Sequence, residues 1–192
     1  MAGLVPFASS LAGCQSGRHW PPSLGGCRVQ EGVVLSNLAR AWSGLTGQSC
    51  AFAPGAEPPA PRADDACFML PITDCVTGFS SHPRAIVLLL MGAAESRALA
   101  AAMFGLPPDQ LSAADLQDAG AELCNILSAS LMECLEDASL ANLGLPQALD
   151  LNRWPELSHR GERRALFELS DQPRRLVVML TDIHLDDSFC RE

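Results

Sequence analysis

The stretch Ala85–Met91 runs for seven residues without a polar side chain, with Pro83 just before it and Gly92 just after. A run this short, apolar and rich in Ile, Val and Leu reads as a strand covered on both faces. A chain that carries it must place other structure on each side of a sheet. Helices are available for this. Val33, Val34, Leu38, Ala41 and Leu45 recur at three- and four-residue steps, which predicts a helix over Val29–Leu45 stopped by Gly47. A second helix, Ala93–Phe104, ends at Gly105, and Pro107 and Pro108 bar its continuation.

The longest periodic segment follows. Ser112 is a good N-cap, Asp115 stands three residues later in the first turn, and the apolar repeat holds to Ala138. That predicts roughly 40 Å of helix at 1.5 Å per residue. Elsewhere the chain reads as strands and loops. Pro54–Asp65 is a Pro/Ala loop, Ala66–Thr73 and Cys75–Phe79 are strands, and Ser80–Pro83 is a turn. Pro71 is expected to confine its strand to an edge or a bulge. After Gly144-Leu145-Pro146 the chain returns to strands, and Arg164–Leu169 with Leu176–Ile183 reads as a hairpin across Asp171-Gln172-Pro173. Helices grouped between sheet segments favour an α+β fold over a doubly wound one. The expected architecture is an antiparallel or mixed sheet packed with one long helix and one or two shorter ones.

Composition narrows the function. The 192 residues are 48% hydrophobic and 18% charged, enough for a core in one domain over residues 28–192. Residues 1–27, rich in Gly, Ser and Pro, read as a flexible extension. Within them Leu11-Ala12-Gly13-Cys14 matches a lipobox, but no Lys or Arg precedes it and Pro6 interrupts the apolar stretch, so a floppy start is the reading. The net charge is −9 and all 13 basic residues are arginines, scattered along the chain. That balance opposes general nucleic-acid binding, which needs cations against phosphates. No apolar stretch approaches the ~20 residues of a membrane span. The eight cysteines include no Cys-x-x-Cys pair, which removes zinc-ribbon and thioredoxin readings. Cys67, Cys75, Cys124 and Cys134 lie in apolar runs and read as small hydrophobes in a reducing cytoplasm.

On the third helix, at about 100° per residue from Asp118, the positions Leu116, Ala119, Leu123, Ile126, Leu127, Leu131, Cys134 and Ala138 form the core stripe. Glu122 and Asn125 fall nearly opposite, and their spacing of three makes them neighbours. Ala121, Ser128, Ala129 and Met132 are expected to share this outward face. Such small neighbours would let another molecule approach the backbone closely. Asn is disfavoured inside a helix, so propensity does not explain Asn125.

The segment Asp118-Ala119-Gly120-Ala121-Glu122-Leu123-Cys124-Asn125 resembles the D/S-x-x-x-E-x-x-N signature of the CheC, CheX and FliY chemotaxis phosphatases. The likeness covers residues 28–185. CheC proteins carry two copies of the signature. Here Glu31 and Asn37, six apart, supply no second copy, so the chain is closer to CheX. The resemblance implies a protein aspartyl-phosphate phosphatase acting on a phosphorylated CheY-like response regulator. Glu122 would grip the regulator beside its active site, and Asn125 would orient the attacking water. Asp118, Ala121, Ser128 and Ala129 would border the docked partner. The acyl phosphate and the Mg²⁺ would belong to the regulator, leaving this chain without a cofactor or metal of its own. The resemblance also implies a homodimer paired through its sheets. The alternative is a non-catalytic CheX-like module that binds a response regulator or a flagellar-switch protein through the same helix.

Asp182, His184 and Asp186 alternate along the last strand and read as a wet face rather than a metal site. No Gly-x-Ser-x-Gly elbow, Walker loop or dinucleotide turn is present.

Overall fold

The apolar run forms a central strand. The computed structural model describes residues 31–74, 85–134, 141–159, 163–170 and 175–182. In it β3 (Ala85–Met91) pairs along its length with β2 (Ala66–Asp74) on one side and with β7 (Leu176–Asp182) on the other. The remaining strands are β1 (Phe52–Pro54), β4 (Ala141–Leu143), β5 (Gln147–Leu149) and β6 (Arg163–Leu169). Among the described residues they form a seven-stranded sheet in the order β1-β6-β7-β3-β2-β4, with β5 also on β2. Every pairing is antiparallel, so the sheet is not mixed.

Side chains alternate across β3 as a pleated strand requires. Ala85, Val87, Leu89 and Met91 enter one core, while Ile86, Leu88 and Leu90 enter a second core on the opposite face. The first is roofed by α1 (Glu31–Thr46), α2 (Ala93–Phe104) and α3 (Ala113–Met132), through Leu38, Trp42, Leu99, Leu123 and Leu127. The second is closed by a 3₁₀ turn (Leu151–Arg153) and α4 (Trp154–His159), which insert Trp154 and Leu157. The Trp154 indole N–H donates to Pro59 O at 2.9 Å, satisfying its one polar atom as it is buried.

The helix stops behave as expected. Gly47 (φ 68°) and Gly105 (φ 66°) take the left-handed conformation just after α1 and α2. Pro71 does not. It lies neither at an edge nor in a bulge, but pairs with Ile86 inside β2. On its other side β5 covers Cys67–Met69 and β4 covers Ile72–Asp74, leaving a break at Pro71 where its missing N–H is not needed. Its carbonyl still accepts from Gly144 N at 2.8 Å.

α3 is shorter than its apolar repeat suggests. It ends at Met132, about 30 Å along, and the backbone tightens there as Cys134 N donates to Leu131 O. Neither Gly nor Pro marks this end. Asp182 belongs to no wet face, since it and Thr181 are buried at the end of β7. The expected extension over 1–27, the strand Cys75–Phe79, the turn Ser80–Pro83, His184 and Asp186 lie outside the described residues.

Candidate functional site

α3 begins with a reciprocal cap. Ser112 Oγ accepts from Asp115 N at 3.2 Å, and Asp115 Oδ2 accepts from Ser112 N and Oγ at 2.7 Å each. The Ser112 hydroxyl, then its N–H, hold the Asp115 carboxyl below the usual carboxylate range. This cap fixes where the helix begins.

From that start the buried positions are Ala119, Gly120, Leu123, Cys124, Leu127, Ser128, Leu131 and Met132. They form two ridges at four-residue steps. Each step of four turns about 40° around a 3.6-residue helix, so the buried flank swings by roughly 120° between Ala119 and Leu131. It turns toward α1, whose Val34 and Leu38 share the core with Met132. Asn37 Nδ2 of α1 reaches Cys134 Sγ at 3.5 Å.

The expected face is therefore right at its centre and wrong at one margin. Asp118, Glu122, Asn125 and Ala129 are exposed, and Ala121 is half-buried against the core. Ser128 is fully buried, and its hydroxyl donates back to Cys124 O at 2.6 Å. Met132 is likewise buried. On a straight stripe both residues would lie outside, but the turning ridge carries them into the core. Neither can line a partner-facing surface.

Glu122 and Asn125 stand on one turn of α3, with Cβ atoms about 5–6 Å apart by helix geometry. Among the described residues no hydrogen bond or ion pair engages either side chain. The pair thus offers a carboxylate and a carboxamide with all donor and acceptor capacity open to an external molecule. Asp118, one turn earlier, and Glu133, beyond the helix end, extend the exposed acidic strip. α3 itself contains no Arg or Lys to neutralise it.

Among the described residues no group of His, Cys, Asp or Glu is arranged to hold a metal ion, and no helix is long and apolar enough to cross a membrane. Cys67 and Cys124 form no disulfide, and burial pushes both thiols up to about 12. They are structural groups here, not nucleophiles.

Neither a protein-family model nor a curated protein sequence matches the chain. Solved structures do. A chain of the CheX–CheY–BeF3–Mg²⁺ complex from Borrelia burgdorferi matches with a TM-score of 0.58 at 10% identity, over 81% of this chain and 98% of that one. The chain has a CheX-like fold. A CheC-like superfamily protein from Shewanella sp. PV-4 matches at 0.54 and 12% identity, over 79% and 95% of the two chains. Chemotaxis protein CheX from Vibrio vulnificus matches at 0.53 and 11% identity, over 78% and 93%. The CheX-like arrangement thus spans nearly the whole of those chains. In this chain it lays α3 across the sheet with Glu122 and Asn125 on the outward side.

One feature of this CheX-like helix was not legible in its sequence. Gly120, between Asp118 and Glu122, is there for packing. A Cβ on it would lie 2.1 Å from Phe68 Cζ. A glycine within a helix is a signal of close approach, but the residue it faces lies on a distant strand.

Proposed function

We propose that the chain hydrolyses the phosphoaspartate of a CheY-like response regulator, with Glu122 and Asn125 as its working residues. The observation that carries this reading is that both stand exposed on one face of α3 with no internal partner. The CheX-like fold supports it, and so does the solution of the Borrelia burgdorferi CheX as a complex with CheY, BeF3 and Mg²⁺.

The chemistry asks little covalent help of the protein. A water oxygen attacks phosphorus in line, the bond from phosphorus to the aspartyl oxygen breaks, and the leaving carboxylate departs as inorganic phosphate forms. Such transfers depend on positioning and charge stabilisation. The Asn125 carbonyl accepts a hydrogen bond from the water while its NH₂ donates to a phosphoryl oxygen. A second carboxylate in its place would bring negative charge against the phosphoryl group. Glu122 pairs with a cation on the regulator and fixes the approach of α3. The Mg²⁺ that neutralises the developing charge sits on the regulator. Asp118 and Ala129 border the contact, one acidic, the other small enough to allow close approach.

The test uses purified proteins. A phosphorylated regulator is followed with and without the full chain, and its decay accelerates if the reading is right. Binding without acceleration favours the non-catalytic module through the same helix.

A further inference from the structure

α3 ends without a glycine or a proline, so its last carbonyls need other donors. Cys134 supplies two. Its N–H donates to Leu131 O at 3.0 Å, and its thiol donates to Ser130 O at 3.4 Å. The same sulfur accepts from Asn37 Nδ2 of α1 at 3.5 Å. Ser130 carries the connection onward, because its hydroxyl donates to Ile126 O at 3.0 Å. The side-chain bonds therefore run in one direction, from α1 through the end of α3 to the residue after Asn125. All of these residues are half-buried, and aligned hydrogen bonds away from bulk water reinforce one another.

The arrangement brackets Asn125. Cys124 O and Ile126 O, on either side of it, each accept a serine hydroxyl from the next turn, Ser128 at 2.6 Å and Ser130 at 3.0 Å. The exposed Asn125 side chain has no internal partner, so its carboxamide is aimed by the backbone that carries it. Helix ends open most readily, and Asn125 stands about two turns from this one.

We propose that Asn37, Cys134 and Ser130 are positioning residues, whose hydrogen bonds tie the last turns of α3 to α1 and hold the turn bearing Asn125 in place for water attack. This rests on the phosphatase reading of Asn125. Misplacing a reacting group by about 1 Å slows a reaction on the order of a hundredfold, so a loosened turn acts on kcat. Regulator affinity is spared, because none of the three belongs to the exposed face of Asp118, Glu122 and Asn125.

The experiment compares the full chain with Asn37→Leu, Cys134→Ala and Cys134→Ser in two measurements. The first needs no regulator. Amide hydrogen exchange over residues 125–132 rises about tenfold in Asn37→Leu and Cys134→Ala. Cys134→Ser, whose hydroxyl accepts and donates in the same way, stays near the native rate. The second measurement is decay of the phosphorylated regulator. There kcat falls about threefold or more in Asn37→Leu and Cys134→Ala, KM stays within about twofold, and Cys134→Ser restores the rate. Unchanged exchange in the folded variants overturns the proposal, as does unaltered kcat, or a Cys134→Ser protein that behaves like Cys134→Ala. A native chain that leaves decay at the spontaneous rate overturns the phosphatase reading instead, while exchange still decides whether the tie to α1 orders this turn. Asn37→Leu and Cys134→Ala break the connection at separate points, so either one that folds suffices.

Discussion

Gly120 of α3 lies directly over the ring of Phe68 on β2, so close that an added Cβ would come within 2.1 Å of Cζ and 2.3 Å of Cε2. Carbon atoms in contact prefer about 3.5–4.0 Å. The glycine therefore sets how near α3 sits to the sheet, and the opposite flank, two residues either way, is that of Asp118 and Glu122. Gly120→Ala gains about 1 kcal/mol of helix propensity. Against this it forces the ring, 2% exposed, or the helix to move, and overpacking of this kind costs typically 1–3 kcal/mol. Denaturant unfolding is expected to show net destabilisation, with a larger loss for Gly120→Val.

Ser128→Ala provides a second check. The hydroxyl is enclosed and returns to the carbonyl one turn back on its own helix. Its removal leaves a carbonyl that still serves the helix ladder, so stability changes by less than about 1 kcal/mol. Regulator binding, measured by calorimetry, stays unchanged, whereas a residue on the docking face would weaken it.

The fold was legible where a local signal stood alone. The Ala85–Met91 strand is a pure apolar run, Ala93–Phe104 is closed by Gly105, and Ser112 with Asp115 announces α3; these boundaries agree with the structure. α4 was missed because six residues with only Trp154 and Leu157 apolar carry no period, although they close one face of the sheet. β1, at three residues, is equally silent. The exposure of Glu122 and Asn125 was legible because they lie opposite the stripe along the middle of the helix. Ser128 was misplaced because the stripe turns toward α1, and α1 is a tertiary neighbour that no local pattern announces. The contact of Asp65 with Arg175 joins distant parts of the chain and has no sequence signal either.

Cysteine chemistry gives a third expectation. Burial, mainly, raises the Cys67 and Cys124 thiols from 9.0 to about 12. Between those values the unfolded chain has lost protons that the folded chain keeps, so stability falls as pH rises through this window. The slope is up to about 1.4 kcal/mol per pH unit for each thiol. The chain has no lysine and no tyrosine, so thiols are the side chains that titrate there. Unfolding followed from pH 8 to 11 should steepen accordingly, and Cys67→Ala with Cys124→Ala should flatten it. Peptide mapping after iodoacetamide at pH 8 should find both residues unmodified in the native protein.

A fourth prediction concerns charge. The exposed face of α3 carries Asp118 and Glu122 with Glu133 beyond, and no cation. On the proposed function, regulator affinity declines with added salt as exposed charges are screened within about 8–10 Å. Glu122→Lys reverses the local charge and raises KM about tenfold or more, with a smaller effect on kcat. A variant that binds as tightly as the native chain would remove Glu122 from the contact.

The most direct measurement is single-turnover decay of the phosphorylated regulator with saturating Asn125→Ala protein. The account predicts decay at the spontaneous rate, while calorimetry finds the regulator still bound within about threefold of the native affinity and the circular dichroism is native. Decay as fast as with the unaltered chain would contradict it, because the water would then be oriented by some other group.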